Sequence, residues 1–153
     1  MKRIALILFV ALIQISCREK NCCTIIDATV DLSIMNSNGY DLLNPNTPGA
    51  LNEENIDILI LKNGAKVRLY RGNLDVAKFF KIRNSNNKHI FQMYFDVSPE
   101  SFNGNKITQF IRYKDGTEDE IVGEFNENRK TNTLLQKVWI NGVVKTRPFV
   151  VVK

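Results

Sequence analysis

TIIDATVDLSI, residues 24–34, alternates between apolar and polar side chains, which is typical of a β-strand. Successive side chains of a strand point to opposite faces, so one face of this strand should be buried and the other wet. The turn-forming residues at 36–39 end the strand. The predicted buried face carries five residues: Ile26, Ala28, Val30, Leu32 and Ile34.

The rest of the chain repeats this pattern at short, regular spacing. Asn63-Gly64, Asp115-Gly116 and Asn141-Gly142 are strong hairpin signals because these residues tolerate positive φ. Pro148 places the last strand at an edge or a bulge. The sequence therefore predicts an all-β fold, an antiparallel β-sandwich (immunoglobulin-like or similar) or a barrel, with about nine strands. The eight further strands are predicted at 56–61, 67–70, 77–83, 89–97, 107–113, 118–125, 133–140 and 143–152.

The first 16 residues have the layout of a secretory signal. Lys2 and Arg3 precede an apolar run at 4–13, and small residues follow. A membrane-spanning helix needs about 20 apolar residues, and this run is shorter. We therefore expect a signal helix at 1–16 that is removed on export, a tether at 17–24 and one β-sandwich domain at 25–153.

Cys17, directly after Ser16, resembles the lipobox of bacterial lipoproteins. The resemblance implies that the Cys17 thiol carries a diacylglyceryl group and that the chain is cut before this cysteine. Gln14 departs from the pattern, because such lipoboxes carry Leu or another aliphatic there. The alternative is an ordinary secretory signal with a chance cysteine. The lipobox predicts a membrane partner and a place in the cell envelope, at the outer membrane.

Charge and cysteine content narrow the function classes. The chain has 21 basic and 16 acidic residues; without the two basic residues of the leader, 19 against 16 leaves a net charge of +3. This mild excess does not suggest a nucleic-acid partner. Cys22 and Cys23 are adjacent, and neighbouring cysteines seldom pair. Three interpretations stay open: two free thiols, thiols that form a disulfide with another molecule, or a strained, redox-active disulfide between the two.

The proline-rich loop at 41–49 is the predicted contact rim. Two prolines should make this loop stiff and extended, and Leu42 and Leu43 should pack against the core. The "DLLNP-TPG" loop, the strand at 56–58 and the "VW-NG" hairpin at 137–142 resemble small, uncharacterised Bacteroidetes-type lipoproteins. That resemblance implies a lipid-anchored β-sandwich with no established activity. The predicted rim residues are Asp41, Asn44, Pro45, Asn46, Pro48 and Trp139.

Three further groups of residues are candidate sites. Seven basic residues between 62 and 83 form either a patch for anionic polysaccharide or lipid, or solvated edge charge. The acidic block at 115–127 suggests either a solvated hairpin, paired with those basic strands, or the carboxylates of a glycosidase or Ca²⁺ site. Trp139, grouped with Leu135 and Lys137 on an outward face, either stacks on a sugar or packs.

The sequence shows no catalytic constellation, no metal-ligand set and no cofactor motif. His89 is the only histidine, and no acid or nucleophile is nominated as its partner. We therefore expect a non-enzymatic binding module with an envelope protein or glycan partner. The alternatives are an envelope glycan hydrolase that uses the acidic hairpin 115–124 and a structural subunit of a larger envelope assembly.

Overall fold

The computed structural model describes residues 24–62, 64–85, 88–129 and 131–153. The predicted signal at 1–16 and the cysteines at 17, 22 and 23 lie outside these residues. The described chain folds into two packed β-sheets of eleven strands in all, which confirms the all-β sandwich. A short 3-10 helix, Pro99–Ser101, links two of the strands.

The strands are β1 Ile25–Asp27, β2 Thr29–Met35, β3 Ile56–Lys62, β4 Ala65–Arg68, β5 Phe80–Ser85, β6 Lys88–Tyr94, β7 Lys106–Tyr113, β8 Glu118–Phe125, β9 Asn132–Ile140, β10 Val143–Lys145 and β11 Phe149–Val152. Sheet I has seven strands in the order β1-β9-β8-β7-β3-β4, with β10 beside β9 on the same edge as β1; sheet II has the order β11-β2-β6-β5.

Eleven strands replace the predicted nine because the first and last predicted strands each pass from sheet I to sheet II. The first breaks at Ala28, between β1 and β2, and the last breaks at 146–148, where Pro148 cannot donate a ladder hydrogen bond. Both crossings create parallel pairs, β1 with β9 and β11 with β2. The sandwich is therefore antiparallel in all its other strand pairings, as predicted, with one parallel pair in each sheet.

The core lies between the two sheets. Val30, Leu32 and Ile34 of β2 are fully buried, as the alternation predicts. Ile26 is 59 % exposed because it belongs to β1, at the edge of sheet I. Sheet I contributes Ile56, Ile58, Ile60, Ile107, Ile111, Ile121 and Phe125 to the core, and sheet II adds Phe80, Phe91, Met93 and Val151.

The predicted outward set on β9 is correct for Lys137 and Trp139 but wrong for Leu135. A register shift opposite Glu124 and Phe125 places an extra residue in β9, which reverses the parity of the strand. Leu135 consequently packs against the core. It fits because Gly123 of β8 has no side chain: a Cβ there would lie 2.9 Å from Leu135 Cδ1 and 2.7 Å from Phe95 Cζ.

The registers define two ends of the sandwich. β1, β2, β7, β9 and β11 all run in the same direction. The end where they start holds Thr24, the first described residue, and we call it the tether end. The opposite end, the loop end, holds the 36–55 segment, the turns at 114–117 and 141–142, and Lys153. Within the described chain no helix is long and apolar enough to cross a membrane.

Candidate ligand-binding cleft

The loop at 41–49 is a chain of turns rather than the extended segment predicted from its prolines. The backbone N–H groups of Asn44, Thr47 and Ala50 each donate to the carbonyl three residues earlier, at 3.3, 2.9 and 2.9 Å. Each proline is therefore second in its turn, where its fixed φ is favoured, and Gly49 follows with a φ of +77°. Leu42 and Leu43 are buried, as predicted.

This loop forms one wall of a cleft at the loop end, which we call the end cleft. Its volume is about 470 Å³, within the usual range for ligand sites. The loop supplies apolar side chains, and the turn after β7 supplies charged ones. The lining residues are Leu42, Gly49, Ala50, Leu51, Asn55, Tyr113, Lys114, Asp115 and Lys153.

Lys153 fixes the side of the cleft nearest the core. Its Nζ donates to Thr117 Oγ1 at 2.9 Å and to Asp119 Oδ2 at 3.4 Å, and it lies 3.8 Å from the centroid of the Tyr113 ring. Asp119 is buried and also accepts a hydrogen bond from Asn141 Nδ2 at 2.7 Å. The buried carboxylate thus has two partners and holds the Asn141-Gly142 hairpin against the cleft.

Tyr113 is the most deeply buried polar group of the cleft. It is only 4 % exposed, and its hydroxyl lies buried without a hydrogen-bond partner among the described residues. Burial, followed by the nearby negative charge of Asp119, raises the pKa of this phenol well above its usual range. The hydroxyl therefore stays protonated beside the buried Asp119 carboxylate.

The five predicted rim residues of the loop surround the cleft without lining it. Asp41 Oδ1 accepts the Leu43 N–H, and Asn44 Oδ1 accepts the Asn46 N–H, so both side chains stabilise turns. Pro45, Asn46 and Pro48 are exposed. The lining comes instead from their apolar neighbours, which the turns direct inward.

Trp139, the sixth rim residue, lies apart from the loop. It is partly buried on the outer face of β9, between Val122 of β8 and Val144 of β10. Lys106 Nζ and Lys137 Nζ lie 4.5 and 5.4 Å from the centroid of the Trp139 ring. These cations occupy the neighbourhood of the ring, and Trp139 does not line the end cleft.

The acidic hairpin is an ion-paired surface. Glu118 is paired with Lys66 of β4 and with Arg112, and these hydrogen bonds, Lys66 first, lower the pKa of Glu118. Asp115 accepts hydrogen bonds from the Thr117 hydroxyl and N–H, which lower the pKa of Asp115. The predicted pairing of acidic hairpin and basic strands is thus present in the structure.

The seven basic residues between 62 and 83 are spread over the edge strands of both sheets and the segment that joins them. Lys66 and Arg68 lie on β4 of sheet I, whereas Lys81 and Arg83 lie on β5 of sheet II. Arg68 pairs with Asp57 at 2.7 Å, and two others pair with Asp96 and Asp31. These residues are therefore best described as charged side chains at the sheet edges that are solvated or form ion pairs.

His89 has a partner that the sequence did not nominate. Asp41 Oδ2 lies 3.5 Å from His89 Nδ1, which joins the start of β6 to the 41–49 loop. The two residues are 48 positions apart, so only the fold reveals the pair. Among the described residues, no group of three or more His, Cys, Asp or Glu side chains is placed to hold a metal ion.

The chain matches no protein-family model, no curated protein and no solved structure. The resemblance to Bacteroidetes-type lipoproteins consequently stays a prediction.

Proposed function

We propose that this chain is a lipid-anchored protein of the bacterial cell envelope whose two parts have separate tasks: Cys17 carries the acyl chains, and the β-sandwich binds a ligand in the end cleft. The anchor is supported by the leader sequence. Two or more acyl chains make such anchoring stable, since each buried CH₂ contributes about 0.8 kcal/mol.

The observation that carries the binding role is the position of the cleft relative to the tether. Thr24 enters the fold at the tether end, and the end cleft lies at the opposite end of strands of seven to nine residues. At about 3.3 Å per residue, the cleft lies roughly 25 Å from the point of attachment. An anchored domain therefore keeps this cleft accessible to envelope components.

The lining indicates the kind of ligand. Leu42, Ala50 and Leu51 offer an apolar surface, whereas Asn55, Lys114 and Asp115 offer hydrogen bonds at the mouth. Because Lys114 and Asp115 carry opposite charges, the mouth of the cleft should not strongly favour either anions or cations. A neutral ligand with one apolar face, such as a glycan fragment or a protein segment of the envelope, fits this surface.

The hydrolase alternative has less support from the geometry. Its general acid would need a raised pKa, whereas the pKa of Glu118 and that of Asp115 are lowered by their hydrogen-bond donors. Changing Asp115, Glu118 and Glu120 to amides tests it directly: loss of a measurable glycan turnover would favour the enzyme. For a structural subunit, crosslinking in intact cells would recover one stoichiometric partner.

Two measurements test the proposal. Mass spectrometry of membrane-extracted protein should find a chain that starts at Cys17 with added acyl mass, and Cys17→Ser should block processing. Calorimetry with soluble peptidoglycan fragments and envelope extracts should detect binding that Ala50→Trp removes by filling the cleft. Ala65→Trp, on exposed β4, is the matched control and should bind like the wild type.

The two parts of the proposal fail separately. An unmodified soluble product would contradict the anchor. Binding that is unchanged by Ala50→Trp would contradict the role of the end cleft, even if Cys17 is acylated.

A further inference from the structure

One side of the sandwich carries most of the exposed aliphatic surface. This side, which we call the apolar side, consists of β1 and β10 at the edge of sheet I and β11 at the edge of sheet II. It holds six of the eleven exposed large hydrophobic residues that the structure describes, each between 38 and 64 % exposed: Ile25, Ile26, Val143, Val144, Val150 and Val152.

The edge of sheet I on this side is also open in its middle. β1 pairs with β9 as far as Leu134, and β10 pairs with β9 from Val138 onward. No described strand covers residues 135–137 on that edge. A groove of about 500 Å³ runs along this gap and is bounded by the crossing at 144–147.

The groove is basic. Lys137, Lys145 and Arg147 line it, and no carboxylate does. Within the described part of the chain none of the three makes an ion pair; Lys137 and Arg147 only approach aromatic rings, at 5.4 and 6.0 Å. Lys137 lies opposite Glu124 in the register of β8 and β9, but Glu124 is itself paired with Lys106 at 3.5 Å, so this side keeps an excess of positive charge.

A neighbouring groove continues the same surface. It shares Arg147 and adds Lys88, together with the carboxylates of Asp27 and Asp31. Asp31 already accepts hydrogen bonds from Arg83 at 2.8 Å and Gln92 at 2.9 Å. The apolar side as a whole thus keeps a positive balance.

The tether brings this side to a membrane. Seven residues, 18–24, separate Cys17 from β1, and seven extended residues span at most about 25 Å. An acylated Cys17 would hold the domain against the bilayer with β1 as the nearest element. Aliphatic side chains flanked by basic ones are the composition that binds at the boundary between headgroups and acyl chains.

We propose that the apolar side, with Lys137, Lys145 and Arg147, rests on the anionic lipid headgroups of the bilayer that holds the anchor. This inference rests on the proposed acylation of Cys17. A second copy of the chain is a weaker occupant, because a two-fold contact would bring the same cations together. The end cleft opens at the loop end of the sandwich, beside the end of β7 and the start of β3, and Lys153 is its only lining residue that adjoins a strand of the apolar side.

Vesicle binding by the unacylated piece 24–153, which contains every described strand and the whole described core, tests the surface alone. Co-sedimentation should be stronger with vesicles containing phosphatidylglycerol than with pure phosphatidylcholine. Each basic residue near an anionic surface contributes about a fivefold change. The triple variant Lys137→Gln, Lys145→Gln, Arg147→Gln should therefore bind on the order of a hundredfold more weakly.

The matched control is Lys62→Gln, Lys78→Gln, Lys81→Gln, which removes the same charge outside the apolar side and outside the end cleft and should retain most of the binding. Equal losses in both triple variants, or no preference for anionic vesicles, would overturn the inference. So would a dimer that Val144→Glu disrupts, because a second copy would then cover this side. Mass spectrometry measures the acylation of Cys17 independently of vesicle binding. If Cys17 is acylated but the vesicle experiment fails, the proposed contact of the apolar side with the membrane is wrong and the proposed lipid anchor still stands.

Discussion

The edge strands on the two sides of the sandwich differ in composition. The side formed by β4 and β5, which we call the charged side, carries Lys66, Arg68, Lys81 and Arg83, and three of these form ion pairs. The apolar side carries isoleucines and valines instead. Charged edge strands discourage edge-to-edge association. On the apolar side, by contrast, the cations Lys137, Lys145 and Arg147 form no ion pair with a described residue and lie among exposed aliphatic side chains, as expected if that side is covered when the protein is in place.

The connections between the sheets reinforce this difference. On the charged side the segment 69–79 crosses from β4 to β5 and buries Leu69 and Phe79. It is fastened by Arg71, whose Nη2 donates to both oxygens of the buried Asp96 at 3.0 and 2.9 Å. On the apolar side the crossings are only Ala28 and 146–148. The charged side is closed by the chain itself, whereas the apolar side is left open.

The largest expected effect concerns the close contact that supports β9 behind the apolar side. Gly123→Ala should lower the free energy of unfolding by about 2 kcal/mol, because the added Cβ would overlap Phe95 and Leu135 in a packed core. Gly72→Ala, in the crossing of the charged side, is the matched control: its Cβ would lie 3.5 Å from the nearest Tyr70 atom, an ordinary contact. Urea unfolding of both variants measures the difference, and equal stabilities would contradict this packing.

Periodicity was sufficient to predict the fold class and most strands, because alternation and Asn-Gly or Asp-Gly turns are local signals. Asn141 and Gly142 adopt φ values of 51° and 78°, as a two-residue hairpin turn requires. The crossings were not predictable in the same way. At Ala28 the alternation of apolar residues continues without a break, so nothing local indicates that the chain changes sheets.

The site was predicted at the level of the loop but not of its residues. Turn-forming Asn44 and Pro48 drew attention to the segment, whereas the cleft is lined by neighbours such as Leu51 and by Tyr113 from a strand 60 residues later. Lys153 reaches Asp119 only because β11 runs parallel to β2 toward the loop end. Contacts of this kind depend on sheet order, which a pattern of alternation does not contain.

An intermediate effect should appear at Glu118, where the charged side is tied to β8. Because Lys66 and Arg112 lower its pKa below the ordinary value of 4.5, ionised Glu118 stabilises the fold above that pH, and the contribution is lost as the pH falls through the lower folded pKa. Glu118→Gln should cost less than about 1 kcal/mol at neutral pH, since the side chains of Lys66 and Arg112 are 38 and 45 % exposed and water screens both ion pairs.

Urea unfolding at neutral and at strongly acidic pH checks this prediction. The stability difference between the wild type and Glu118→Gln should shrink in acid. Glu120→Gln, on the same face of β8, is the control, because Glu120 makes no ion pair with a described residue. A difference that persists unchanged in acid would show that the ion pairs contribute nothing.

The smallest expected effect tests whether the apolar side is open in the isolated protein. Val144→Thr and Val152→Thr keep the β-branched shape at side chains that are 51 and 64 % exposed, so the free energy of unfolding should change by less than about 0.5 kcal/mol. Val67 on β4 is 45 % exposed, so Val67→Thr is the control and should change the free energy of unfolding equally little. A loss above about 1 kcal/mol confined to the first two, and growing with protein concentration, would mean that copies of the chain bury this side in solution. The contrast between the two sides would then reflect self-association rather than a membrane.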